Sequence, residues 1–325
     1  MEEHRHLTVH HMIRAIILAG FSFYVVHLVK IDKLQYYIAP RMMPYIKYSA
    51  VAMFLLAAYY VYLALQSSNH KHHHEAECDC GHEPTRSWPK NMMIYSVFLL
   101  PLLFGFAFPD KIMGSDAASV KGMNLTVKNV QQPSKPEPIP ISSEEVTTDL
   151  SKPETEDSGT VTSAPGSTSP PNLDDLFPYD EYSKDFADLG KIFYGEDVIA
   201  IKEDGFLEYI STIDLYRHNF IGKTVVISGF VYREDDMASN QFVVSRMAMS
   251  CCTADAEPYG FMAEWNKAAD LGKDTWVTLT GVIGLKKYKG NEIIVLDTRQ
   301  VTTIHAPKDP YVYPYFGDIT QLEKK

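Results

Sequence analysis

The chain has 325 residues, 46% of them hydrophobic, which is enough for a membrane region and one soluble domain. Its formal net charge is −11, and residues 110–325 carry 21 Lys and Arg against 34 Asp and Glu. This acidic half excludes proteins that hold nucleic acid through phosphate contacts. The four cysteines form two close pairs, Cys78/Cys80 and Cys251/Cys252, which is not the framework of a disulfide-rich secreted domain.

Three apolar segments near the start of the chain predict a membrane region over residues 1–110. Between Arg14 and Lys30 lie 15 uncharged residues, and this span lengthens if both charged side chains reach the interface. The other two segments cover residues 48–65 and 91–109. A cleaved signal peptide is the alternative for the first segment, but no small-residue cleavage site follows it, and two further spans do.

A run of metal-ligand residues lies in the loop predicted between the second and third spans, residues 66–90. Imidazole and thiolate are preferred ligands of zinc, and both also suit nickel, cobalt and copper. Adjacent histidines cannot all bind one ion from a stiff backbone, so the pattern favours capture and release over a rigid structural site. The alternative is a polar loop without a role. The candidate ligands of this His-rich loop are His70, His72, His73, His74, Cys78, Cys80 and His82.

Residues 111–176 are predicted to form a disordered linker, because the stretch 131–175 is rich in Pro, Ser and Thr and poor in large apolar side chains. Such segments resemble the spacers of extracytoplasmic bacterial domains. The Lys and Arg balance does not decide the orientation, but thiols of the His-rich loop would stay reduced more readily in the cytosol. We therefore expect a multi-pass protein of the bacterial cell membrane, with the N-terminus and the His-rich loop inside and the C-terminal domain outside.

The last part of the chain, residues 177–325, has the pattern of a small all-β domain with one preceding helix, predicted over residues 205–220. Turn residues and glycines separate the predicted strands, and Gly229 and Gly281 mark expected bulges or bends. The closest standard architecture is an OB-like barrel, with a β-sandwich as the alternative. The strands are predicted at residues 224–233, 241–249, 259–265, 274–288 and 292–303, with a shorter one at 197–202.

A second candidate site lies at the end of a predicted strand, at Cys251 and Cys252. Neighbouring side chains on a strand point to opposite faces, so both thiols reach one ion only if the chain turns there. Asp255 would add a carboxylate if the loop curls back. Three interpretations remain open: a metal site, packing cysteines beside a turn, and a redox-active pair, although the Cys-x-x-Cys spacing of many redox catalysts is not matched.

The stretch at residues 250–256, followed by Tyr259 and Gly260, carries a family resemblance. Together with the His-rich loop and the closing residues 308–313, it resembles the YcgQ-type membrane proteins of bacteria. The resemblance covers nearly the whole chain except the linker, whose length looks like an insertion. It implies the companion subunit of a separate multi-span permease, and so a two-component membrane system. It assigns no substrate and no catalytic residues.

These observations predict a non-enzymatic membrane subunit that pairs with a multi-span permease and handles a transition metal. Zinc is the first candidate, and nickel, cobalt or copper are the alternatives. The expected partners are the permease, membrane lipid and the metal ion, without nucleic acid. Two other classes remain open: a membrane-tethered thiol redox enzyme that uses Cys251 and Cys252, and an assembly factor whose barrel binds protein. No phosphate-cradling loop, nucleophile elbow or zinc-protease motif indicates another class of enzyme.

Overall fold

The computed structural model describes residues 2–69, 88–126 and 172–324. Its first part contains three long helices, α1 (Glu2–Lys30), α2 (Met43–Asn69) and α3 (Trp88–Ala107). Each includes a stretch long and apolar enough to cross a membrane: Thr8–Lys30, Pro40–Gln66 and Lys90–Ala107. The three predicted spans are confirmed. The first span is longer than the uncharged segment alone and includes Arg14, whose guanidinium lies over the Tyr60 ring, 5.9 Å from its centroid.

Small residues bring α1 and α2 together. Ala50, Ala57 and Ala64 recur every seventh residue along α2 and are all buried. Ser22 of α1 donates a hydrogen bond of 2.8 Å to the carbonyl of Ala50, so the two backbones approach closely. Most large apolar side chains of the three helices face outward instead, which suits contact with lipid or with another membrane helix.

The remaining described residues form short helices and a seven-stranded sheet. The helices are α4 (Ser115–Lys121), α5 (Leu173–Leu176), α6 (Lys184–Tyr194) and α7 (Phe206–Leu215). The strands are β1 (Val198–Ala200), β2 (Thr224–Tyr232), β3 (Gln241–Ala248), β4 (Glu257–Glu264), β5 (Trp276–Tyr288), β6 (Asn291–Thr303) and β7 (Tyr311–Val312). The predicted helix over 205–220 is in fact α7 followed by a 3-10 helix at Arg217–Phe220.

The sheet order is β1-β2-β5-β6-β4-β3-β7, and β2 also pairs with β3. Strands β2 to β6 therefore form a partly closed ring, with β4 and β6 parallel and the other pairs antiparallel. This layout confirms the predicted combination of a helical membrane part and a small OB-like β domain. Strands β1 and β7 extend the sheet, each parallel to its neighbour.

Two glycines allow the backbones of the ring to approach one another. A Cβ atom at Gly229 would lie 2.4 Å from the carbonyl oxygen of Ser245, and one at Gly260 would lie 2.2 Å from that of Val244. Pairing between β2 and β5 runs without interruption through Gly229, and the register shift in the barrel falls at Thr280/Gly281. Gly229 is thus required for close approach, and the bulge lies opposite Thr280/Gly281, where Arg299 of β6 is the extra residue.

Two apolar clusters occupy the domain. One fills the ring and extends to α6 and α7, where the Phe193 and Tyr209 rings stack with centroids 4.8 Å apart. The other includes Ala39 of the α1–α2 connection and Ala118 of α4, together with the buried methionines of β3 and β4. Residues 112–125, which the sequence analysis assigns to the linker, pack against this second cluster, so the membrane part and the barrel share one apolar contact.

Candidate functional site

The chain turns sharply between β3 and β4, and one carboxylate stabilises the turn. Asp255 accepts hydrogen bonds from the backbone N–H groups of Ser250 (2.9 Å), Cys251 (2.7 Å) and Cys252 (3.3 Å). Three consecutive donors therefore point at one acidic side chain, as the N–H groups do at an anion-binding turn. The curl that the sequence analysis requires for a shared site at these residues is present.

The turn brings two thiols and a carboxylate within reach of one ion. The Cys251 and Cys252 Sγ atoms lie 3.7 Å apart, and ligand atoms of Cys251, Cys252 and Asp255 all lie within 4.8 Å of one another. Two sulfurs bound to one tetrahedral zinc at about 2.3 Å each are about 3.8 Å apart. The spacing of the thiols therefore fits a shared tetrahedral ion, and the carboxylate offers a third ligand. We call this set the cysteine cluster.

The surroundings of Cys251 do not favour a reactive thiolate. A hydrogen bond to Asp255, followed by one to Cys252, raises the pKa of the exposed Cys251 thiol to about 11. Burial alone would raise the pKa of Asp255, but the hydrogen bonds from the thiol and the backbone hold it below its usual value. A catalytic thiol needs the opposite shift, so these hydrogen bonds argue against Cys251 as an attacking nucleophile.

Backbone hydrogen bonds connect the cysteine cluster to the segment between α1 and α2. Ile38 forms an antiparallel bridge with Cys252. The N–H of Ala39 donates to the carbonyl of Cys251, and the N–H of Thr253 donates to the carbonyl of Tyr37, each over 3.0 Å. The turn that carries the thiols is therefore paired with the connection between two membrane spans.

Lys121, at the end of α4, holds the other side of the same turn. Its ammonium donates to the carbonyl oxygens of Ala256 (2.6 Å), Ala254 (2.9 Å) and Thr253 (3.4 Å). Sequence reasoning missed this residue, because a lysine in a segment assigned to the linker carries no signal of a contact more than 130 residues away.

A polar network anchors the α1–α2 connection to the residues that follow α3. The Tyr37 hydroxyl donates to Asp110 over 2.6 Å, and the Lys33 ammonium pairs with the same carboxylate at 3.0 Å. Burial tends to raise the pKa of Asp110, but these partners keep it lowered. Lys308, near the chain's end, pairs with Asp32, and the Arg41 guanidinium lies 4.3 Å from the centroid of the Phe316 ring.

The candidate ligands of the His-rich loop lie outside the described residues: His70, His72, His73, His74, Cys78, Cys80 and His82. Three other potential donors have partners of their own. Glu257 accepts from Tyr259 and Asn124 and is not part of the cysteine cluster. His10 bonds to Tyr95 between the membrane helices, while His218 pairs with Glu292 on the barrel.

The raised pKa of Cys251 predicts a distinctive reactivity profile. In chelator-treated full-length protein, alkylation of Cys251 by iodoacetamide should be slow at pH 7.5 and rise about tenfold per pH unit toward pH 11, because only the thiolate reacts. Asp255→Asn removes the main cause of the shift and should move the profile to lower pH. The control Glu257→Gln should not move it. Fragment mass spectrometry locates the modified thiol, and rapid labelling at neutral pH would restore the redox interpretation.

Two family models match the chain on either side of the predicted linker. The DUF1980 N-terminal domain matches residues 13–124, and the DUF1980 C-terminal domain matches residues 176–314. The first contains most of the first span, the other two spans and α4, and the second contains the ring of strands and the cysteine cluster. No solved structure matches the chain significantly.

Two curated proteins are similar to the chain. "UPF0703 protein YcgQ" of Bacillus subtilis is 29% identical over 317 residues, which is 94% of this chain and 100% of that protein. A Streptococcus mutans protein named "Putative two-component membrane permease complex subunit" is 26% identical over 149 residues, or 45% of this chain and 54% of that protein. The chain therefore carries both the N-terminal and the C-terminal DUF1980 domain, and it is similar over nearly its whole length to a YcgQ-type membrane protein.

Proposed function

We propose that this protein is the non-enzymatic subunit of a two-component membrane permease and that it binds a transition metal, with zinc as the first candidate. The observation that carries the metal part is the cysteine cluster, whose two sulfurs lie 3.7 Å apart beside a carboxylate. The name of the Streptococcus mutans relative supports the permease part. The outward apolar faces of α1, α2 and α3 offer surface for a membrane partner.

The donor set of the cysteine cluster suits a borderline-soft divalent ion. Two thiolates and one carboxylate supply three negative charges, and tetrahedral zinc would retain one position for a further ligand. Cobalt, nickel and copper accept the same donors, so affinity alone does not choose among them. Because Cys251 is exposed, an ion held there would remain open to exchange. This is the behaviour expected of a subunit that passes a metal on.

The proposed orientation places the barrel outside the cell and the His-rich loop inside. The α1–α2 connection and the residues after α3 contact the barrel, so these helix ends lie on its side of the membrane. Helix α2 has 27 residues, about 40 Å at 1.5 Å per residue, so its far end at Asn69 lies across a bilayer core. The N-terminus and the His-rich loop then share the opposite side, where an intracellular chelator would collect ions.

Zinc binding tests the metal part of the proposal. Full-length protein, stripped with a chelator and dialysed against zinc at pH 7.5, should retain zinc in two fractions. Replacing His70, His72, His73, His74, Cys78, Cys80 and His82 should remove one fraction, and Cys251→Ser with Cys252→Ser should remove the other. Asp255→Asn should weaken zinc binding at the cysteine cluster by about tenfold or more, while the neighbouring Glu257→Gln should not.

The pH dependence separates the two sites further. Zinc held by the His-rich loop should be lost at pH 5.5, since protons compete for imidazole. Equal zinc in all variants would refute metal binding.

Cysteine labelling in intact cells tests the orientation. In a background without the four native cysteines, Val120→Cys places a thiol on α4 at a position 87% exposed. A membrane-impermeant maleimide should label this thiol from outside and should label Lys71→Cys only after lysis. Labelling of Lys71→Cys alone in intact cells would reverse the orientation.

Purification in mild detergent tests the permease part. The tagged full-length chain should retain a multi-span membrane protein in a constant ratio, because the proposed permease would pack its helices on these outward apolar faces. The pair Cys251→Ser and Cys252→Ser should leave this ratio unchanged, since the cysteine cluster lies outside the spans. Recovery of the chain with lipid and detergent only would contradict a subunit role.

A further inference from the structure

A cavity of about 200 Å³ lies between the start of α7 and strands β2, β3 and β5, and it shares no residue with the cysteine cluster. Arg246 of β3 and Trp276 of β5 line it, together with Glu203 and Phe206. Arg246 is 1% exposed, although it is the only charged residue in the otherwise apolar or small run of residues 242–249. A buried guanidinium of this kind needs partners, because an uncompensated charge is costly inside a protein.

The partners of Arg246 leave part of its hydrogen-bonding capacity unused. One terminal nitrogen donates to the Glu203 carboxylate over 2.9 Å. The other reaches the carbonyl oxygens of Asp309 and Tyr311, both at a long 3.4 Å. Among the described residues, the buried Nε–H has no acceptor. A guanidinium has five N–H donors, so this one can donate to a further anionic group.

The acid that neutralises Arg246 lies at the rim of the cavity. The Glu203 side chain is 60% exposed, whereas the Arg246 side chain is 1% exposed. The Glu203 carboxylate itself can turn into water, but the buried guanidinium then needs another anion in its place. The Asp309 carboxylate, by contrast, accepts from the Tyr313 hydroxyl at 2.9 and 3.0 Å and from the N–H of Tyr311. Glu203 is therefore the replaceable partner.

The walls of the cavity are suited to a compact apolar group. The Arg246 guanidinium lies 5.0 Å from the centroid of the Trp276 ring and 6.0 Å from that of Phe206. The only ammonium at the lining, on Lys202, already donates to the carbonyl of Leu322. A ligand here meets one available guanidinium, with aromatic surface beside it.

We propose that this cavity binds a small organic acid, with its carboxylate on Arg246 in place of the Glu203 carboxylate and its apolar part against Trp276. The single available cation favours a monoanion over a phosphate dianion. The volume, below the usual range of about 300–1,000 Å³ for drug-sized ligands, limits the ligand to a compact metabolite. This site is independent of the proposed metal and permease roles.

Calorimetric titration of the full-length protein tests the proposal, with benzoate as probe and its neutral analogue benzamide and inorganic phosphate as comparisons. Benzoate should bind saturably, and the other two should bind at least about tenfold more weakly. Glu203→Gln should tighten benzoate binding several-fold, because the internal competitor is removed. The matched control Glu257→Gln, at another exposed acid, should leave it unchanged. Arg246→Gln should abolish binding, and Arg246→Lys should weaken it, since the forked geometry is lost.

Three results would overturn the proposal. Benzamide binding as tightly as benzoate would show that the site does not recognise the negative charge of the carboxylate. Tighter binding of phosphate would show that the site takes an inorganic anion. Unchanged affinity in Glu203→Gln would show that this carboxylate does not occupy the ligand position. This last variant decides the matter even if Arg246 variants fail to fold, because Glu203 lies at the rim.

Discussion

A single carboxylate that accepts three consecutive backbone N–H groups determines the junction between the membrane helices and the barrel. Asp255 curls the chain after β3, and this curl brings the two sulfurs of the cysteine cluster to 3.7 Å. The same curl turns the carbonyl of Cys251 and the N–H of Thr253 outward, where they pair with the α1–α2 connection. Lys121 then occupies the remaining carbonyls of the turn. The geometry of the cysteine cluster and the membrane attachment thus depend on the same few backbone hydrogen bonds.

The junction combines three kinds of interaction that fail under different conditions. Backbone pairing at Ile38 gives its register, and the apolar cluster around Ala39 and Ala118 excludes water. The carboxylate of Asp110, partly buried between Tyr37 and Lys33, fixes the end of α3. Because the pKa of Asp110 is lowered, its contribution to stability is present above the usual carboxyl pKa and is lost as the pH falls through the lowered value. Acid therefore loosens the anchor of α3 while leaving the apolar contact in place.

Sequence patterns predicted the features that repeat along the chain and missed those that depend on distant contacts. Span composition and strand alternation located α1 to α3 and β2 to β6, but β7 has only two residues and gives no periodic signal. The spacing of Asp255 from Cys251 suggested a shared site, and the structure supplies the curl. The roles of Lys121 and Asp110 rest on partners far away in sequence. Arg246 is visible in the sequence as the one charged residue of an apolar strand. Such a position indicates either a buried ion pair or a ligand site.

The bridge between Ile38 and Cys252 joins the membrane helices, which are sensitive to the bilayer, to the turn that carries the thiols. Helices α1 and α2 adjust their tilt to the thickness of the surrounding bilayer, at modest cost per ångström of mismatch. Their connection is rigidly paired to the turn that carries the thiols, so a change of tilt pulls on the backbone of that turn. The backbone that sets the spacing of Cys251 and Cys252 is thus the same backbone that would bear a change in bilayer thickness.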